Sequence, residues 1–443
     1  MSRVKYTLWV MLGLTTLFWG QVEPTIWAST NLFEWRSGLI QYSGILALML
    51  MSLAMLLALR LPLIEQWTQG IDKGYRIHKW LGISALLLGV FHWLTYHIPK
   101  WLISLELLTK PARLNGSGPH GNLSGLALWL KEAKPFAMEM GEWGFYALIG
   151  LLGISLWSVI KYKPFRLTHR LMAVVYLLIA AHSVILLKKA YWGEPIYWLT
   201  LLFIAVGSWA ALYSLLGLVG RQSRYPAHVE ALHYCVKSQT LDLTIQLNQP
   251  WQGHKAGQFA YLRFAGEEPH PFTIACANQG TQLRFLIKEL GDFTTGLHDR
   301  LRHGDMLEVE GPYGKFDFAT HQPQIWVGGG VGIAPFMAGL DWLAREQSHP
   351  QVYLFFCCQQ VDPNLCAELR HKAQATGVAL TIIDSSVDPR LSAEDIARRC
   401  GDLSRFQFYF CGPVAFSKSL KKALKPYQVD LPRQFHEEQF VMR

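Results

Sequence analysis

Residues 78–99 read HKWLGISALLLGVFHWLTYHIP, an apolar run that carries histidines and is long enough to cross a lipid bilayer. From Trp80 to Pro99 the run contains no aspartate, glutamate, lysine or arginine. Ionisable side chains are costly in hydrocarbon, and for that reason they usually mark a functional position in a membrane segment. His78 and His92 lie 14 residues apart, which is about 21 Å along an α-helix and nearly on one face of it.

Apolar runs of similar length recur through the first 220 residues. The charge-free runs are Tyr6–Val22, Ser37–Leu59, Trp80–Pro99, Trp143–Ile160, Leu171–Leu187 and Pro195–Gly220. Each is close to the roughly 20 apolar residues that a membrane-spanning helix needs. From Arg221 onward the sequence changes to short strand-like runs, glycine-containing turns and mixed charge. These patterns predict a multidomain chain, with a six-helix, all-α transmembrane bundle over 1–220 and soluble domains over 221–320 and 321–443.

Basic residues indicate which side of the membrane the loops occupy. They precede the first run, separate the second from the third and the fourth from the fifth, and follow the sixth: Arg3, Lys5, Arg60, Lys73, Arg76, Lys79, Lys161, Lys163, Arg166, Arg170, Arg221 and Arg224. If six helices alternate in direction, all of these loops lie on one side, which the positive-inside rule makes cytoplasmic. The net charge of +9 is then mostly topogenic, and no aromatic-interleaved basic motif favours nucleic-acid binding.

Residues 1–28 could alternatively be a signal peptide. Arg3 and Lys5 precede an apolar stretch, and Ala28 and Ser29 are small residues near a possible cleavage point. Removing this segment would leave five helices and reverse the assigned sides, against the distribution of basic loops. We therefore favour its retention.

The cysteines indicate the redox environment of the second half. All seven lie after residue 220, on the side assigned as reducing: Cys235, Cys276, Cys357, Cys358, Cys366, Cys400 and Cys411. This placement argues against structural disulfides. No CxxC pair occurs, so a zinc or iron–sulfur site has little support.

A second pair of histidines lies on the fifth predicted helix. His169 and His182 are 13 residues apart, or about 19 Å along a helix. The third and fifth helices run in the same direction, so His78 can face His169 near the cytoplasm and His92 can face His182 near the exterior. Two imidazoles across a helix gap are what a six-coordinate b-type haem iron needs. The sequence therefore predicts two haem sites at two levels of the membrane.

The angular spacing on the fifth helix is less favourable. On an ideal helix His182 lies roughly 140° from His169. Either a π-bulge or kink brings both histidines onto one face, or the two haems lie at different azimuths. A single membrane histidine could also simply bond a neighbouring hydroxyl, but two pairs at matching heights disfavour that interpretation. His97 and His120 fit neither pair.

The second half contains three glycine- or proline-marked segments within strand-like sequence. Residues 225–320 are typical of antiparallel β-structure and contain HPFT at 270–273, KELGDFT at 288–294 and GPYG at 311–314. A buried-strand signal over 325–327 is followed by GGGVGIAPF at 328–336, where glycines let the backbone approach a pyrophosphate at a helix N-terminus. Further strands at Val352–Cys358, Ala379–Asp384 and Gln407–Cys411 alternate with helix-like stretches and predict a parallel α/β sheet.

Together the paired histidines and these segments resemble the ferric reductase / NADPH oxidase superfamily over nearly the whole chain. The compact size and the lack of EF-hands resemble a prokaryotic member. The resemblance implies that His78, His92, His169 and His182 ligate two b-type haems. It also implies an FAD domain built as a ferredoxin–NADP reductase-like antiparallel β-barrel, followed by an α/β domain that binds NADPH or NADH.

The resemblance further implies roles for residues around the flavin. Phe272 would flank the isoalloxazine, Thr273 would reach its N5 and O4 region, and His270 would lie near the pyrophosphate or ribityl chain. The flavin segments are expected to contribute His270, Pro271, Phe272, Thr273, Lys288, Gly291, Asp292, Phe293 and Thr294. In the second segment the glycine and Thr294 suit a helix start that offers N–H groups to phosphate.

For the nicotinamide coenzyme, the resemblance implies a glycine-rich loop and a cysteine beside the nicotinamide. The expected binding residues are Gly328, Gly329, Gly330, Gly332, Pro335, Cys411, Gly412 and Pro413. Phe440 matches an aromatic residue that stacks on the flavin and moves when nicotinamide enters; plain packing is the alternative for Phe440, as it is for Cys411. The strand ending at Cys358 is followed by Gln359-Gln360, with neither the basic residue typical of NADPH sites nor the acidic residue of strict NADH sites. Arg370 and Lys372 could supply the basic group, so the coenzyme stays open.

We therefore expect a bacterial inner-membrane oxidoreductase that passes electrons from cytoplasmic NAD(P)H through FAD and two haems to an outer acceptor. The acceptor would be O2, giving superoxide, or a ferric chelate; no obligate protein partner is evident. An oxidase needs a cationic pocket, which Arg36 could supply beside Tyr96 or His97, although Arg36 could equally hold a haem propionate or anchor the interface. The amphipathic stretch Leu126–Met140 could cap the outer haem or lie on the lipid surface.

Two other classes of protein fit parts of the sequence. A membrane transporter or sensor could use a histidine-containing bundle without redox chemistry, but it leaves the HPFT, glycine-rich and CGP segments unexplained. A haem subunit that serves a quinone or periplasmic partner would need no fused flavin–nicotinamide module. Residues 225–443 are predicted to be such a module.

Overall fold

The computed structural model of the chain describes residues 2–109, 125–157, 162–346, 350–360 and 362–438. The chain forms two compact units, of which the first ends at Val219 and the second begins at Gly220. The first unit is helical and the second contains two β-sheets.

In the first unit each predicted apolar run coincides with a helix over most of its described length. The helices are α1 Ser2–Val22, α2 Thr25–Ala28, α3 Leu32–Leu57, α4 Pro62–Thr68, α5 Ile71–Ser104, α6 Leu126–Leu156, α7 Tyr162–Arg170, α8 Met172–Leu186 and α9 Pro195–Leu215. Within the described residues, four spans are both long and apolar enough to cross a membrane: Leu32–Leu57, Ile71–Ser104, Pro164–Leu186 and Pro195–Leu215. The all-α prediction is confirmed, and six spans stay a prediction.

The two remaining long helices, α1 and α6, are not among these four spans. Helix α1 carries Lys5 and Gln21, and the first half of α6 carries four charged side chains before Met140, at Lys131, Glu132, Lys134 and Glu139. In α6 the apolar sequence therefore occupies only the second half of the helix. The stretch Leu126–Met140 is the first part of this continuous helix and not a separate surface segment.

The fifth predicted helix is broken between its two histidines. Helix α7 ends at Arg170 and α8 begins at Met172, with Leu171 between them. The Leu171 amide donates to the Thr168 carbonyl at 3.1 Å, three residues back, in place of the four-residue step of an α-helix. The regular α-helix is thus interrupted at Leu171, in the interval between the two histidines where the kink alternative expects it.

Long helices of the first unit pack in pairs and expose apolar side chains on their other faces. Helix α3 packs against α5 and α9, and α8 packs against α6 and α9. A core cluster joins α3, α8 and α9 at Leu48, Ala173, Tyr176, Ala180 and Ala211. The exposed large apolar side chains include Trp80, Leu87, Phe91, Trp143, Trp198 and Leu202. Such exposure is expected of helices that face lipid.

The first sheet of the second unit is antiparallel, with strand order β4-β3-β6-β1-β2-β5. Its strands are β1 Arg224–Cys235, β2 Thr240–Leu247, β3 Phe259–Phe264, β4 His270–Thr273, β5 Gln282–Lys288 and β6 Met306–Tyr313. The prediction of a closed barrel is wrong for this sheet, because its edges β4 and β5 are joined only by a bridge between Ile274 and Phe285. Strand β4 is four residues long and contains Pro271, which has no N–H to donate to a second neighbour.

The second sheet is parallel throughout, which confirms the predicted α/β domain. Its order is β11-β10-β7-β8-β9, with β7 Gln324–Gly329, β8 Val352–Cys358, β9 Ala379–Asp384, β10 Gln407–Cys411 and β11 Phe435–Glu438. The helices of this unit are α10 Leu297–Arg300, α11 Ala334–Leu343, α12 Pro363–Thr376, α13 Ala393–Cys400, α14 Val414–Leu424 and α15 Leu431–Gln434. Strand β7 is buried along its whole length and lies at the centre. The chain moves outward from β7 in both directions, as in dinucleotide-binding folds.

Candidate functional site

The four membrane histidines form two facing pairs between α5 and the α7–α8 segment. The ring centres of His78 and His169 are 5.9 Å apart, and those of His92 and His182 are 6.5 Å apart. Two imidazoles bound on opposite sides of one metal through bonds of about 2 Å would place their ring centres roughly 6 Å apart. Both separations therefore fit one iron between each pair.

In each of these four rings the Nδ1 atom also makes a hydrogen bond to a neighbouring helix. The contacts are His78 to the Ala54 carbonyl at 2.9 Å, His92 to the Ile40 carbonyl at 2.9 Å, His182 to the Ala137 carbonyl at 2.7 Å and His169 to the Ser155 hydroxyl at 3.0 Å. A carbonyl only accepts, so in three rings the proton is on Nδ1 and the Nε2 lone pair is left for a metal. Metal-bound histidines are usually fixed in this way. The donor set fits two b-type haems.

Glycines on the neighbouring helices make room for the outer pair of rings. A Cβ at Gly141 of α6 would lie 2.1 Å from Nδ1 of His182, and a Cβ at Gly44 of α3 would lie 3.1 Å from Cε1 of His92. Sequence reasoning did not identify either glycine. Glycines are frequent in membrane helices, so the sequence does not distinguish these two from the others. Only their distance from the histidine rings in the folded structure does.

At the C-terminal end of α5, the candidates Arg36 and Tyr96 lie beside Lys100, which was not predicted. Arg36 donates to the Tyr96 carbonyl at 3.1 Å, and Nζ of Lys100 lies 3.7 Å from the centre of the Tyr96 ring. His97 lies 3.9 Å from a carboxylate oxygen of Glu142. The cluster is therefore cationic on one side and acidic on the other. His120 lies outside the described residues.

Around the predicted flavin residues, aromatic rings are stacked. The His270 ring lies 3.7 Å from the Phe293 ring at an interplanar angle of 6°, and the Arg300 guanidinium lies 5.8 Å from the Phe293 ring centre. Phe272 packs against the core of the antiparallel sheet, and Thr273 is buried. The structure thus joins the two flavin segments of the sequence through His270 and Phe293.

The turn at 289–296 differs from the prediction. The Thr294 hydroxyl accepts hydrogen bonds from the Leu290 amide at 2.9 Å and the Gly291 amide at 3.2 Å. Helix α10 begins only at Leu297, after Gly296. The expectation that Gly291 and Thr294 open a phosphate-binding helix is wrong, because these amides bond within the turn. Asp292 is exposed beside them.

The glycine-rich loop and the segment after Cys411 approach each other at backbone distance. A Cβ at Gly332 would lie 2.1 Å from the Cys411 carbonyl oxygen, and a Cβ at Gly329 would lie 2.9 Å from Cδ of Pro413. A Cβ at Gly412 would meet the Gly329 Cα at 3.0 Å. Three of the predicted glycines are thus required by contact between the β7 and β10 loops.

Gly330 and Gly328 have different roles in the same loop. Gly330 has a φ of +58° and faces open space, whereas a Cβ at Gly328 would lie 3.2 Å from the Ile333 Cα. Pro335 occupies the first turn of α11, where its missing N–H costs nothing. The loop therefore exposes backbone at Gly330, as a site for pyrophosphate requires.

An open cleft follows the carboxyl ends of β7 and β8. Its walls include Gly330, Val331, Gln359 and Gln360 from the parallel sheet, and Thr240 and Lys288 from the antiparallel sheet. Lys288 was predicted as a flavin residue, and the structure places it in this cleft. Ligands of open α/β sheets bind at such carboxyl ends.

The predicted nicotinamide cysteine is buried at the end of β10. Burial, and to a lesser extent the charge of Glu438, raises the pKa of the Cys411 thiol well above its usual value. The side chain is therefore a neutral thiol and not a thiolate at neutral pH. Glu438 pairs in register with Cys411, and Phe440, two residues further along, lies outside the described residues.

An ionic cluster that sequence reasoning missed joins the antiparallel sheet to α12. Arg284 donates to Asp242 at 2.8 and 2.6 Å and to Glu368 at 2.6 and 2.8 Å. Lys372 lies 3.0 Å from Glu368 and 2.7 Å from Asp341. Lys372 is thus engaged in ion pairs, which argues against the suggestion that it binds a 2′-phosphate.

Replacing Glu368 by glutamine is expected to destabilise the second unit by about 1–2 kcal/mol near neutral pH. Burial alone would raise the pKa of Glu368, but the hydrogen bonds and charge of Arg284 outweigh it and lower that pKa. The stabilisation is therefore fully present above the pKa of an unfolded glutamate and is lost as the pH falls through the lower folded value. Thermal unfolding of both proteins between neutral and acidic pH measures this difference.

A matched control is Glu394→Gln, because Glu394 and its ion-pair partner Arg398 both have solvent-exposed side chains. We expect this variant to follow the wild-type unfolding curve. If Glu368→Gln showed the same pH dependence of unfolding as the wild type, the assigned linkage would be wrong.

The sequence matches three family models in chain order. A ferric reductase like transmembrane component matches residues 43–180, an FAD-binding domain matches 227–320 and an oxidoreductase NAD-binding domain matches 326–422. The first match contains all the paired histidines except His182. The other two contain the predicted flavin segments and both loops of the parallel sheet.

Individual relatives match shorter parts of the chain. Dual oxidase 2 of Sus scrofa is 24% identical over 308 residues, which cover 62% of this chain and 18% of the oxidase. The reductase component of propane 2-monooxygenase from Rhodococcus jostii is 30% identical over 182 residues, which cover 36% of this chain and 48% of the reductase. The chain thus spans less than a fifth of the first relative and about half of the second.

Solved structures resemble the chain more weakly. Flavohemoglobin from Malassezia yamatoensis aligns over 94% of this chain and 98% of its own, with 16% identity and a TM-score of 0.46. The FAD/NAD-binding domain of the nitric oxide dioxygenase from Vibrio cholerae covers 49% of this chain and 98% of its own, with 20% identity and a TM-score of 0.44.

A helical unit with apolar spans, followed by FAD-binding and NAD-binding domains, defines a flavin-dependent oxidoreductase with a membrane component. In its three matched regions, taken in chain order, the chain is similar to proteins of the ferric reductase / NADPH oxidase superfamily.

Proposed function

We propose that this protein carries electrons across a membrane, from NAD(P)H on the cytoplasmic side to an acceptor on the outer side, using FAD and two b-type haems. The observation that carries the proposal is the pairing of four histidines at 5.9 and 6.5 Å, each ring held through Nδ1. When bound, the flavin takes a hydride from NAD(P)H and the haems take single electrons. The FAD-binding and NAD-binding matches support the entry end of this path.

The chain's own residues bind and orient these groups. His78 and His169 would hold the inner haem, and His92 and His182 the outer one. Their Nδ1 contacts fix the ring planes, so that each Nε2 points across the helix gap. Gly141 keeps the space in which the His182 ring lies.

In the second unit, the proposed roles follow the two sheets. His270, Pro271, Phe272 and Thr273 of β4 and the turn after Lys288 would hold FAD. The exposed backbone at Gly330 would bind the coenzyme pyrophosphate, and the buried Cys411 would pack beside the nicotinamide without ionising. Phe440 would stack on the flavin and move aside for the coenzyme.

The proposed domains are 1–220, 221–320 and 321–443, in a bacterial inner membrane. Six helices would cross the membrane, with the N-terminus and the second unit in the cytoplasm. The concentration of basic residues in alternate loops supports this orientation. The four apolar spans of the structure support a membrane location.

The acceptor is proposed to be O2 or a ferric chelate. Similarity to a dual oxidase favours the first, and the ferric reductase match favours the second. The cluster of Arg36, Tyr96 and Lys100 would attract either superoxide or an anionic chelate.

One experiment tests both the proposed electron path and the identity of the acceptor. Purified protein loaded with FAD and haem is mixed with NAD(P)H without oxygen, and we expect the flavin and Soret bands to be reduced in turn. Oxygen or a ferric chelate is then added, with and without superoxide dismutase. Ferric reduction that superoxide dismutase leaves unchanged would exclude superoxide as its carrier, and a Soret band that NAD(P)H never reduces would contradict the path itself.

A further inference from the structure

The choice between NADH and NADPH depends on the end of the cleft beyond the glycine-rich loop. The pyrophosphate would lie at Gly330, at the end of the first strand of the parallel sheet. In dinucleotide-binding sheets the adenosine ribose then lies over the end of the neighbouring strand. Here that strand is β8, which ends at Cys358 and continues into Gln359 and Gln360 along the cleft wall.

An acidic residue from the next strand reaches this position. Asp384 ends β9 and pairs in register with Cys358, the last residue of β8. One of its carboxylate oxygens accepts hydrogen bonds from the Gln360 amide at 3.2 Å, from the Ser386 amide at 3.0 Å and from the Ser386 hydroxyl at 2.6 Å. The carboxylate is thus fixed against Gln360, at the point directly after β8 where the sequence has glutamines and no acid.

Other charges near this loop are of both signs, and they include Arg370 of α12, whose charge acts on the Cys366 thiol as those of Asp362 and Asp384 do. Asp362 lines the same cleft and caps α12 by accepting from the Asn364 amide at 2.9 Å. Asp388 accepts from the Asp384 amide at 2.9 Å. Lys288 enters the cleft from the antiparallel sheet, and Lys372 is engaged with Asp341 and Glu368.

We propose that this protein uses NADH in preference to NADPH, and that Asp384 is the residue that discriminates between them. The carboxylate accepts a hydrogen bond from the ribose 2′-hydroxyl of NADH. With NADPH it meets a 2′-phosphate of the same sign of charge, which weakens binding. The inference rests on the proposed function, because it assumes that the cleft binds the coenzyme.

The test is anaerobic stopped-flow reduction of the flavin in the full-length, FAD-loaded protein, with each coenzyme over a range of concentrations. We expect the wild type to favour NADH by about tenfold or more in the ratio of reduction rate to Kd. Asp384→Asn keeps an oxygen that accepts the same loop hydrogen bonds and removes the charge. This variant should reduce the preference for NADH over NADPH several-fold, through a lower Kd for NADPH.

Asp402→Asn is the matched control. Asp402 makes the same kind of contacts, with the Ser404 amide at 3.0 Å and the Ser404 hydroxyl at 2.7 Å, but it precedes β10 at the opposite end of the sheet from the cleft. It should leave the coenzyme ratio unchanged. Equal use of both coenzymes by the wild type, or an unchanged ratio in Asp384→Asn, would overturn the inference. If neither coenzyme reduced the flavin, the proposed function itself would fail.

Discussion

A His92→Ala variant is expected to bind one haem in place of two and to lose electron transfer to outer acceptors, while NAD(P)H still reduces its flavin. The His92 ring faces His182 at 6.5 Å, and removing it leaves a single imidazole at the outer level. The inner pair is separate, because His78 lies about four turns from His92 on α5 and His169 lies on α7 instead of α8, so both rings keep their own contacts. The haem-to-protein ratio, the FAD content and the rates of flavin and acceptor reduction measure these effects. Unchanged haem content would contradict the ligand assignment.

The same haem should be lost through a purely steric change. In Gly141→Ala the new methyl group would lie 2.1 Å from the His182 ring, so the ring must leave its position and its hydrogen bond to Ala137. Gly150→Ala is the control on the same helix, because a Cβ there meets nothing within 4 Å. We expect Gly141→Ala to lower the haem ratio toward one and Gly150→Ala to retain both haems. Two haems in both variants would show that the outer ring does not need this space.

The second large effect is expected at the coenzyme site, in Gly332→Ala. The added Cβ would lie 2.1 Å from the Cys411 carbonyl oxygen and 2.5 Å from its carbon. Both partners are backbone, so no side-chain rotation relieves the clash and the β7 and β10 loops must separate. A displacement of about 1 Å at a reacting centre can slow a reaction roughly a hundredfold, and we expect a loss of that size in flavin reduction by NAD(P)H.

The controls for Gly332→Ala are measured on the same protein. FAD content and the spectrum of the haems after reduction by dithionite should match the wild type, because neither depends on the coenzyme loops. Flavin reduction at the wild-type rate would contradict the close approach of the two loops. If the variant lost FAD as well as the ability to reduce flavin rapidly, the effect would be due to a wider change of the fold.

Local patterns predicted most of the fold, and the missing parts depend on contacts that are distant in sequence. Apolar length was enough to place the helices, and alternating strands and helices were enough for the parallel sheet. The spacing of His169 and His182 predicted either a departure from an ideal helix or two haems at different azimuths, but it did not distinguish between these alternatives. The break at Leu171 lies in apolar sequence without a proline or glycine in the interval 169–182, so nothing local marks it.

The candidate site shows the same division between local and distant information. The histidine positions and both glycine-rich segments followed from spacing and residue type. The reasons for individual glycines did not, because Gly332 is required by Cys411, 79 positions away in the sequence. Arg284 and Asp384 were missed for the same reason: their partners lie on other strands and helices. Pro271 could have argued against a closed barrel, because it makes β4 an edge strand.

The length of α6 has a consequence for what can reach the outer histidines. Its 31 residues span roughly 46 Å, well beyond the about 30 Å of a hydrocarbon core. The His182 ring is tied to α6 at Ala137, so the helix continues about 16 Å past that level to Leu126. In the proposed orientation, α6 therefore extends beyond the proposed outer haem level. We expect molecular size, as well as charge, to influence which acceptor reaches that level, so that O2 is less restricted there than a bulky chelate.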